Sequence, residues 1–172
     1  MPVVLLLGGA RSGKSDMATR LALESGAPVT LIATAEARDA EMAERIRLHR
    51  EARPAAWRTI EAPIDLLGAV RSASPGDFLV VDCLTLWVAN LLEQGAAAAE
   101  VELAAAQVVA ELEARRGVVV TNEVGLGIVP ANELARRFRD VLGAVNARFA
   151  AGVDRALLLV AGRAVELAST AS

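Results

Sequence analysis

The opening stretch, MPVVLLLGGARSGKS, constrains the fold more than any other part of the chain. Residues 3–7 are consecutive apolar side chains, too few to cross a bilayer and without the alternation of a half-exposed strand. A run of this kind is a strand buried on both faces. It stops at Gly8-Gly9, and helical spacing begins at Lys14 and continues to Glu24. A buried strand, a glycine-rich turn and a helix in succession begin an α/β sheet covered on both sides.

The rest of the chain repeats that alternation. Strands are expected at residues 29–33, 78–81, 118–120 and 155–160, with a short strand or extended segment at 57–60. Helices are expected at 37–52, where Pro54 stops the pattern, and at 64–71, 85–92, 97–115 and 132–150. Ser74-Pro75-Gly76-Asp77 is a turn, and Gly117 is expected to end the long helix before it. The last residues add a short strand before a polar tail. No repeat or linker interrupts the pattern. The expectation is one domain over residues 1–172, an α/β fold with a mostly parallel central sheet and helices on both faces.

Composition narrows the function classes. Hydrophobic residues are 54 % of the chain but aromatics only 3 %, so Ala, Val and Leu must fill the core. The net charge of −3, with both signs mixed, argues against a nucleic-acid partner. Cys83 is the sole cysteine, so no intrachain disulfide forms, and a reducing cytoplasm fits. The N-terminus lacks the basic region of a secretion signal, and no apolar run has membrane-spanning length. A soluble cytoplasmic protein is expected.

Residues 8–15, GGARSGKS, fit G-x-x-x-x-G-K-[ST]. Gly8, Gly9, Ala10, Arg11, Ser12 and Gly13 supply a turn whose N–H groups surround phosphate oxygens. Lys14 reaches the β- and γ-phosphates, and Ser15 binds Mg²⁺. The start of the following helix adds favourable partial charge. The pattern lies between a strand and a helix, where this chemistry needs it, so the expectation for residues 1–172 is a single nucleotide-binding domain with a P-loop NTPase fold. A second acid is expected at the end of a neighbouring strand, and Asp82 closes the run FLVVD. It serves Mg²⁺, or else it caps the next helix, whose own N-cap is expected at Thr85.

Ligands of open α/β sheets gather at the carboxyl ends of the strands. Polar clusters stand there: Thr34-Ala35-Glu36, then Asp82 and Thr85, then Thr121-Asn122-Glu123. Glu123 is equally well explained as a cap in a flexible turn. Cys83 reads as a small buried side chain.

His49 is the single histidine. On the helix expected at 37–52 it shares a face with Met42 and Ile46, and that face should turn toward the protein body. Arg45 and Arg53 flank it. An inward imidazole among arginines favours its neutral form, which is a nucleophile. Spacing alone leaves this open beside an ordinary half-buried histidine with a satisfied hydrogen bond. One histidine and one cysteine do not make a histidine-rich metal site.

Four segments carry a resemblance over almost the whole chain, from about Val3 to Gly162: GGARSGKS; IATAEARDAEMAERIRLHREARPAAWRTIEAP; LVVDCLTLWVANLL; and VVVTNEVGLGIVPANELARRFRDVLGAVNARFA. Together they resemble the bifunctional adenosylcobinamide kinase/adenosylcobinamide-phosphate guanylyltransferase family of cobalamin biosynthesis. GGARSGKS is shared by many proteins; RIxxHRxxRPxxWxTxExP followed by TNEVGxGIVP is specific.

The resemblance implies two reactions. ATP or GTP phosphorylates the aminopropanol hydroxyl of adenosylcobinamide. A histidine, matching His49, then takes GMP from GTP and passes it to adenosylcobinamide phosphate, giving adenosylcobinamide-GDP. It further implies that Thr34, Ala35 and Glu36 line the nucleotide site. Arg50, Glu51, Ala52 and Arg53 bind nucleotide, and the two arginines neutralise phosphate charge. Glu61 reads guanine, and the assembly is a homotrimer. Two positions depart from parts of the family: Asp82 stands where some members have glutamate, and Leu48 where some have a second histidine. Two rival functions remain at this level, a small-molecule P-loop kinase with a structural His49 and a non-enzymatic nucleotide-dependent switch.

Overall fold

The computed structural model describes residues 3–51 and 53–169. The elements run β1 (Val3–Gly8), α1 (Lys14–Glu24), β2 (Val29–Ala33), α2 (Ala40–Glu51), β3 (Arg58–Glu61), α3 (Leu66–Ser72) and β4 (Phe78–Asp82). Then come α4 (Leu84–Glu93), α5 (Ala98–Leu112), β5 (Arg116–Val120), α6 (Glu133–Gly152), β6 (Arg155–Val160) and β7 (Arg163–Leu167). Among the described residues the seven strands form one sheet in the order β3-β2-β4-β5-β1-β6-β7. Each neighbouring pair is parallel except β6 with β7, which form an antiparallel edge. The mostly parallel α/β sheet is as expected.

The continuous apolar strands divide between two core layers. Val3, Leu5 and Leu7 of β1 pack with side chains from α3, α4, α5 and α6. Val4 and Leu6 pack on the other face with Ala18 and Ala22 of α1. The period of two therefore survives within a run that is apolar throughout. Trp87 of α4 is buried and donates from Nε1 to the Ile64 carbonyl at 2.8 Å. Thr30 Oγ1 donates to Asp77 Oδ2 at 2.6 Å inside the protein, tying β2 to the turn before β4.

Several boundaries differ from expectation for local reasons. Helix α2 begins at Ala40 rather than residue 37, because Asp39 Oδ1 accepts the Met42 N–H at 2.7 Å and starts the helix there. Helix α3 starts at Leu66, behind Asp65, whose side chain accepts the Gly68 N–H. Thr85 is not the N-cap of α4; Cys83 holds that position, and the Thr85 Oγ1 instead accepts the Asn122 N–H at 2.8 Å. Gly117 does not end a helix. Helix α5 stops at Leu112, and Gly117 lies within β5, paired with Val3 on one side and Leu79 on the other.

Helix α2 is the outlier. None of its described side chains belongs to either core layer. Among the described residues, no helix is long and apolar enough to cross a membrane.

Gly117 tests the sheet. A Cβ there would stand 2.4 Å from the Leu79 carbonyl oxygen and 2.9 Å from Leu79 Cβ, whereas one on Gly127 would meet nothing within 4 Å. Gly117→Ala should cost about 1–3 kcal/mol through overpacking of the central strands. Gly127→Ala should stay within about 0.5 kcal/mol of the parent in urea unfolding. Equal midpoints for the two variants would contradict the placement of Gly117.

Candidate active site

The carboxyl edge of the sheet opens into a cleft of 1270 Å³. Its floor is the turn between β1 and α1. Gly8 admits no side chain, since a Cβ would lie 2.4 Å from the Leu159 carbonyl oxygen and 2.7 Å from Ser12 Oγ. Gly13 has φ 98°, a conformation that costs glycine little, and it is the N-cap of α1 without a side-chain cap. The first-turn N–H groups of α1 are thereby left for an anion. Lys14 is buried and folds back over the turn, donating from Nζ to the carbonyls of Gly8 at 2.9 Å and Gly9 at 2.6 Å and to Ser12 Oγ at 3.3 Å. Burial holds its pKa below the ordinary lysine value, opposed by Cys83 and Asp82. Ala10, Arg11, Lys14 and Ser15 line the cleft; Gly8 and Ser12 are buried beneath.

Asp82 ends β4 and lines the same cleft. It is not on the strand next to the turn, as expected. Strand β5 lies between β1 and β4, so the acid stands two strand spacings away, about 10 Å. The Asp82–Cys83 peptide is cis. Thr34 joins β2 to this edge: its N–H donates to the Asp82 carbonyl at 3.0 Å, its Oγ1 donates to the Cys83 carbonyl at 2.7 Å, and it accepts the Cys83 N–H at 2.8 Å. Burial, reinforced by Asp82, pushes the Cys83 thiol up to about 11, in keeping with an inert small side chain.

Two buried asparagines, which sequence reasoning missed, support the strand ends. Asn90 of α4 donates from Nδ2 to the carbonyls of Thr34 at 2.8 Å and Pro63 at 3.0 Å, and its Oδ1 accepts from Arg38 at 2.8 Å. Asn146 of α6 accepts from Thr121 Oγ1 at 2.7 Å and donates to the Asn122 carbonyl at 3.0 Å. The available signal was a carboxamide among apolar neighbours, as in WVANLL. Glu123 donates its N–H to the Gly8 carbonyl at 3.2 Å, and its carboxylate accepts from Gly125 within its own turn; it caps no helix, since Asn132 is the N-cap of α6.

The α2 arm closes the far wall. Met42, Ile46 and His49 share a face as the spacing predicts, and all three line the cleft. That face looks onto open space, however, and His49 is exposed, so the expected inward burial does not occur. His49 also borders a second cavity of 490 Å³, which shares Ser15, Arg53 and Asp82 with the main cleft. Arg53 is half-buried; burial depresses its pKa, Asp82 opposes this and Arg50 adds to it. Arg50 and Glu61 line the cleft and form an ion pair with each other. Ala35 and Glu36 line it too, and Glu36 pairs with Arg38 at 2.9 Å, which also pairs with Glu93. Glu51 does not line the cleft and pairs with Arg47. Ala52 lies outside the described residues. Asn122, from the polar cluster expected at the strand ends, also lines the wall, as does Arg38, which was not singled out from the sequence.

Comparison with known proteins follows the same lines. Two structures share the fold: the flagellar accessory protein FlaH from Methanocaldococcus jannaschii (TM-score 0.54, 16 % identity, covering 96 % of this chain and 77 % of that one) and the RadB recombinase (TM-score 0.51, 15 % identity, 91 % and 73 %). The likeness is one of fold, and in this chain the pattern GGARSGKS lies between β1 and α1 of that fold. In sequence the chain is 49 % identical over 162 residues to the bifunctional adenosylcobalamin biosynthesis protein CobP of Pseudomonas aeruginosa, covering 92 % of each. It is 42 % identical over 184 residues to the bifunctional adenosylcobalamin biosynthesis protein CobU of Salmonella typhimurium, covering 96 % of this chain and 99 % of that protein. Residues 4–167 match the family model described as cobinamide kinase / cobinamide phosphate guanyltransferase, and the chain belongs to that family.

Proposed function

We propose that the cleft phosphorylates adenosylcobinamide with ATP or GTP and then transfers GMP from GTP to adenosylcobinamide phosphate through a covalent guanylyl-His49. The observation that supports this most is the convergence of Lys14, Ser15, Asp82 and His49 on one cavity. Family membership supports the two activities, and the cavity geometry supports one site for both. The volume of 1270 Å³ exceeds the usual small-molecule pocket of about 300–1,000 Å³, leaving space for an acceptor beside a nucleotide.

The Ser15 hydroxyl and the Asp82 carboxylate are hard oxygen donors suited to Mg²⁺. Among the described residues no group of three or more His, Cys, Asp or Glu side chains makes a metal cage. Such a sparse donor set fits an ion shared with nucleotide phosphates. Bound there, Mg²⁺ offsets charge on the β- and γ-phosphates. Lys14, released from the Gly8 and Gly9 carbonyls, stabilises the same oxygens.

In the first reaction the aminopropanol oxygen forms a bond to the γ-phosphorus as the bond to the β-phosphate oxygen breaks, and the hydroxyl proton passes to solvent. In the second, a ring nitrogen of neutral His49 attacks the α-phosphorus of GTP and pyrophosphate leaves. An oxygen of adenosylcobinamide phosphate then attacks that phosphorus, the N–P bond breaks, and the imidazole is restored. Arg50 and Arg53, beside the nucleophile, balance charge moving to the leaving group. Glu61 accepts from guanine N1–H and the 2-amino group. Its pairing with Arg50 in the free protein satisfies both charges until a nucleotide separates them. The proposed assembly is a homotrimer, with light-scattering mass three times that of the chain, in the cytoplasm.

Wild type incubated with α-³²P-GTP should take up an acid-labile, base-stable label, and His49→Ala should take up none. A labelled His49→Ala protein would rule out the nucleophile. The same variant should retain appreciable ATP-dependent phosphorylation of adenosylcobinamide, which a small-molecule kinase would share but a switch would not. Lys14→Ala should lower both reactions on the order of a hundredfold, the scale of losing one preorganised charge donor. Undiminished guanylylation in Lys14→Ala would contradict a shared phosphate cradle.

A further inference from the structure

We propose that Asn90 is a positioning residue that locks the spacing, laid down by the β3-β2-β4 register, between the guanine end and the phosphate end of the cleft, and so determines selectivity for GTP. This rests on the proposed role of Glu61 in reading guanine. Asn90 lies in α4, beneath the sheet edge, and is 3 % exposed. Its carboxamide reaches two separate segments. Nδ2 binds the carbonyls of Thr34, at the end of β2, and Pro63, two residues beyond Glu61; Oδ1 holds Arg38 in the loop before α2. Both donor hydrogens are thus used, along with an acceptor position.

The consequence is a continuous tie across the edge. From Asn90 the Thr34 main chain and hydroxyl continue to Asp82 and Cys83. From Asn90 the Pro63 carbonyl leads back to Glu61, and Ala62 N–H is bonded to the Ala33 carbonyl at 2.8 Å. A nucleoside triphosphate has a fixed reach between base and phosphates, so a cleft that grips both ends must hold its two grips at one separation. Arg38 alone cannot fix it, since its ion pairs with Glu36 and Glu93 are formed by partly exposed side chains.

Asn146 provides an internal control. It is a second buried asparagine, 5 % exposed, from α6, and it supports Thr121 and Asn122 rather than the Glu61 end. Loss of either carboxamide leaves buried main-chain groups unpaired and lowers stability. Only loss of Asn90 should alter base selection.

The test compares Asn90→Leu and Asn146→Leu by equilibrium binding of GTP and ATP and by the initial rate of labelling from α-³²P-GTP. Asn90→Leu should weaken GTP binding by roughly tenfold, the size of effect expected from losing buried hydrogen bonds at a gripping wall. ATP binding should change much less, and the labelling rate at saturating GTP should stay near that of wild type. Asn146→Leu should melt at a similarly lowered temperature with the GTP-to-ATP preference of wild type. Asn90→Ser carries the same expectation if the leucine variant does not fold. An unchanged GTP-to-ATP ratio in a folded Asn90 variant, or the same change in Asn146→Leu, would overturn the proposal. Failure of wild type to take label would instead count against the covalent histidine, and the binding measurements would still decide the role of Asn90.

Discussion

The buried ammonium of Lys14 is the constraint around which the edge of the sheet is arranged. A cation removed from water must be met by oxygen atoms. Here the carbonyls of Gly8 and Gly9 and the Ser12 hydroxyl meet it. Those oxygens converge because the chain turns tightly, and the turn is possible because Gly8 lies against Leu159 and Gly13 adopts φ 98°. Strand β1 must end at this point, between β5 and β6, and α1 must begin without a side-chain cap. The lysine therefore holds the turn in the shape that an anion would otherwise impose. Phosphate oxygens are better partners than neutral carbonyls, so under the proposed function a nucleotide would complete an existing arrangement instead of creating one.

The sequence made the layered α/β sheet and the phosphate turn readable because both are written in local patterns. Continuous apolar runs mark buried parallel strands, and GGARSGKS places its glycines where the backbone needs them. The strand order was not readable in the same way. Asp82 was recognisable as a strand-end acid, but the insertion of β5 between it and β1 is a property of topology. Gly117 was misleading for a related reason. A glycine after a helical run usually marks its end, whereas here it relieves a contact with Leu79 on an adjacent strand. Thr85 looked like a cap from its position, yet its hydroxyl serves Asn122, thirty-seven residues away in the chain. The two buried asparagines escaped notice because their partners are main-chain carbonyls and a hydroxyl on distant elements.

Helix α2 shows how correct periodicity yields a wrong environment. The face shared by Met42, Ile46 and His49 turns toward the protein as the spacing requires, but a cleft lies in front of it where a core was expected. Apolar spacing states which side faces inward and is silent on whether that side is filled. The resemblance to a known family was what singled out His49 beyond its spacing, and the structure adds that the cavity it borders also contains Lys14, Ser15 and Asp82.

A division of mechanical roles follows from how these groups are held. The sheet edge is fixed by buried, fully partnered side chains: Thr34, Asn90, Asn146 and Lys14. The α2 arm is tied to β3 by the ion pair of exposed Arg50 with Glu61, whereas the pairs of Arg47 with Glu44 and Glu51 lie within the helix itself. Exposed pairs of this kind contribute about 0–1 kcal/mol each. Little free energy therefore opposes rearrangement of the arm, while distortion of the edge would strand buried polar groups at about 1–3 kcal/mol apiece. The proposed pair of phosphorus transfers at one cradle would use that combination. Under the proposed function the phosphate grip would stay constant between them, while the group bearing His49 would approach the α-phosphorus in one reaction and leave the γ-phosphorus to the acceptor in the other.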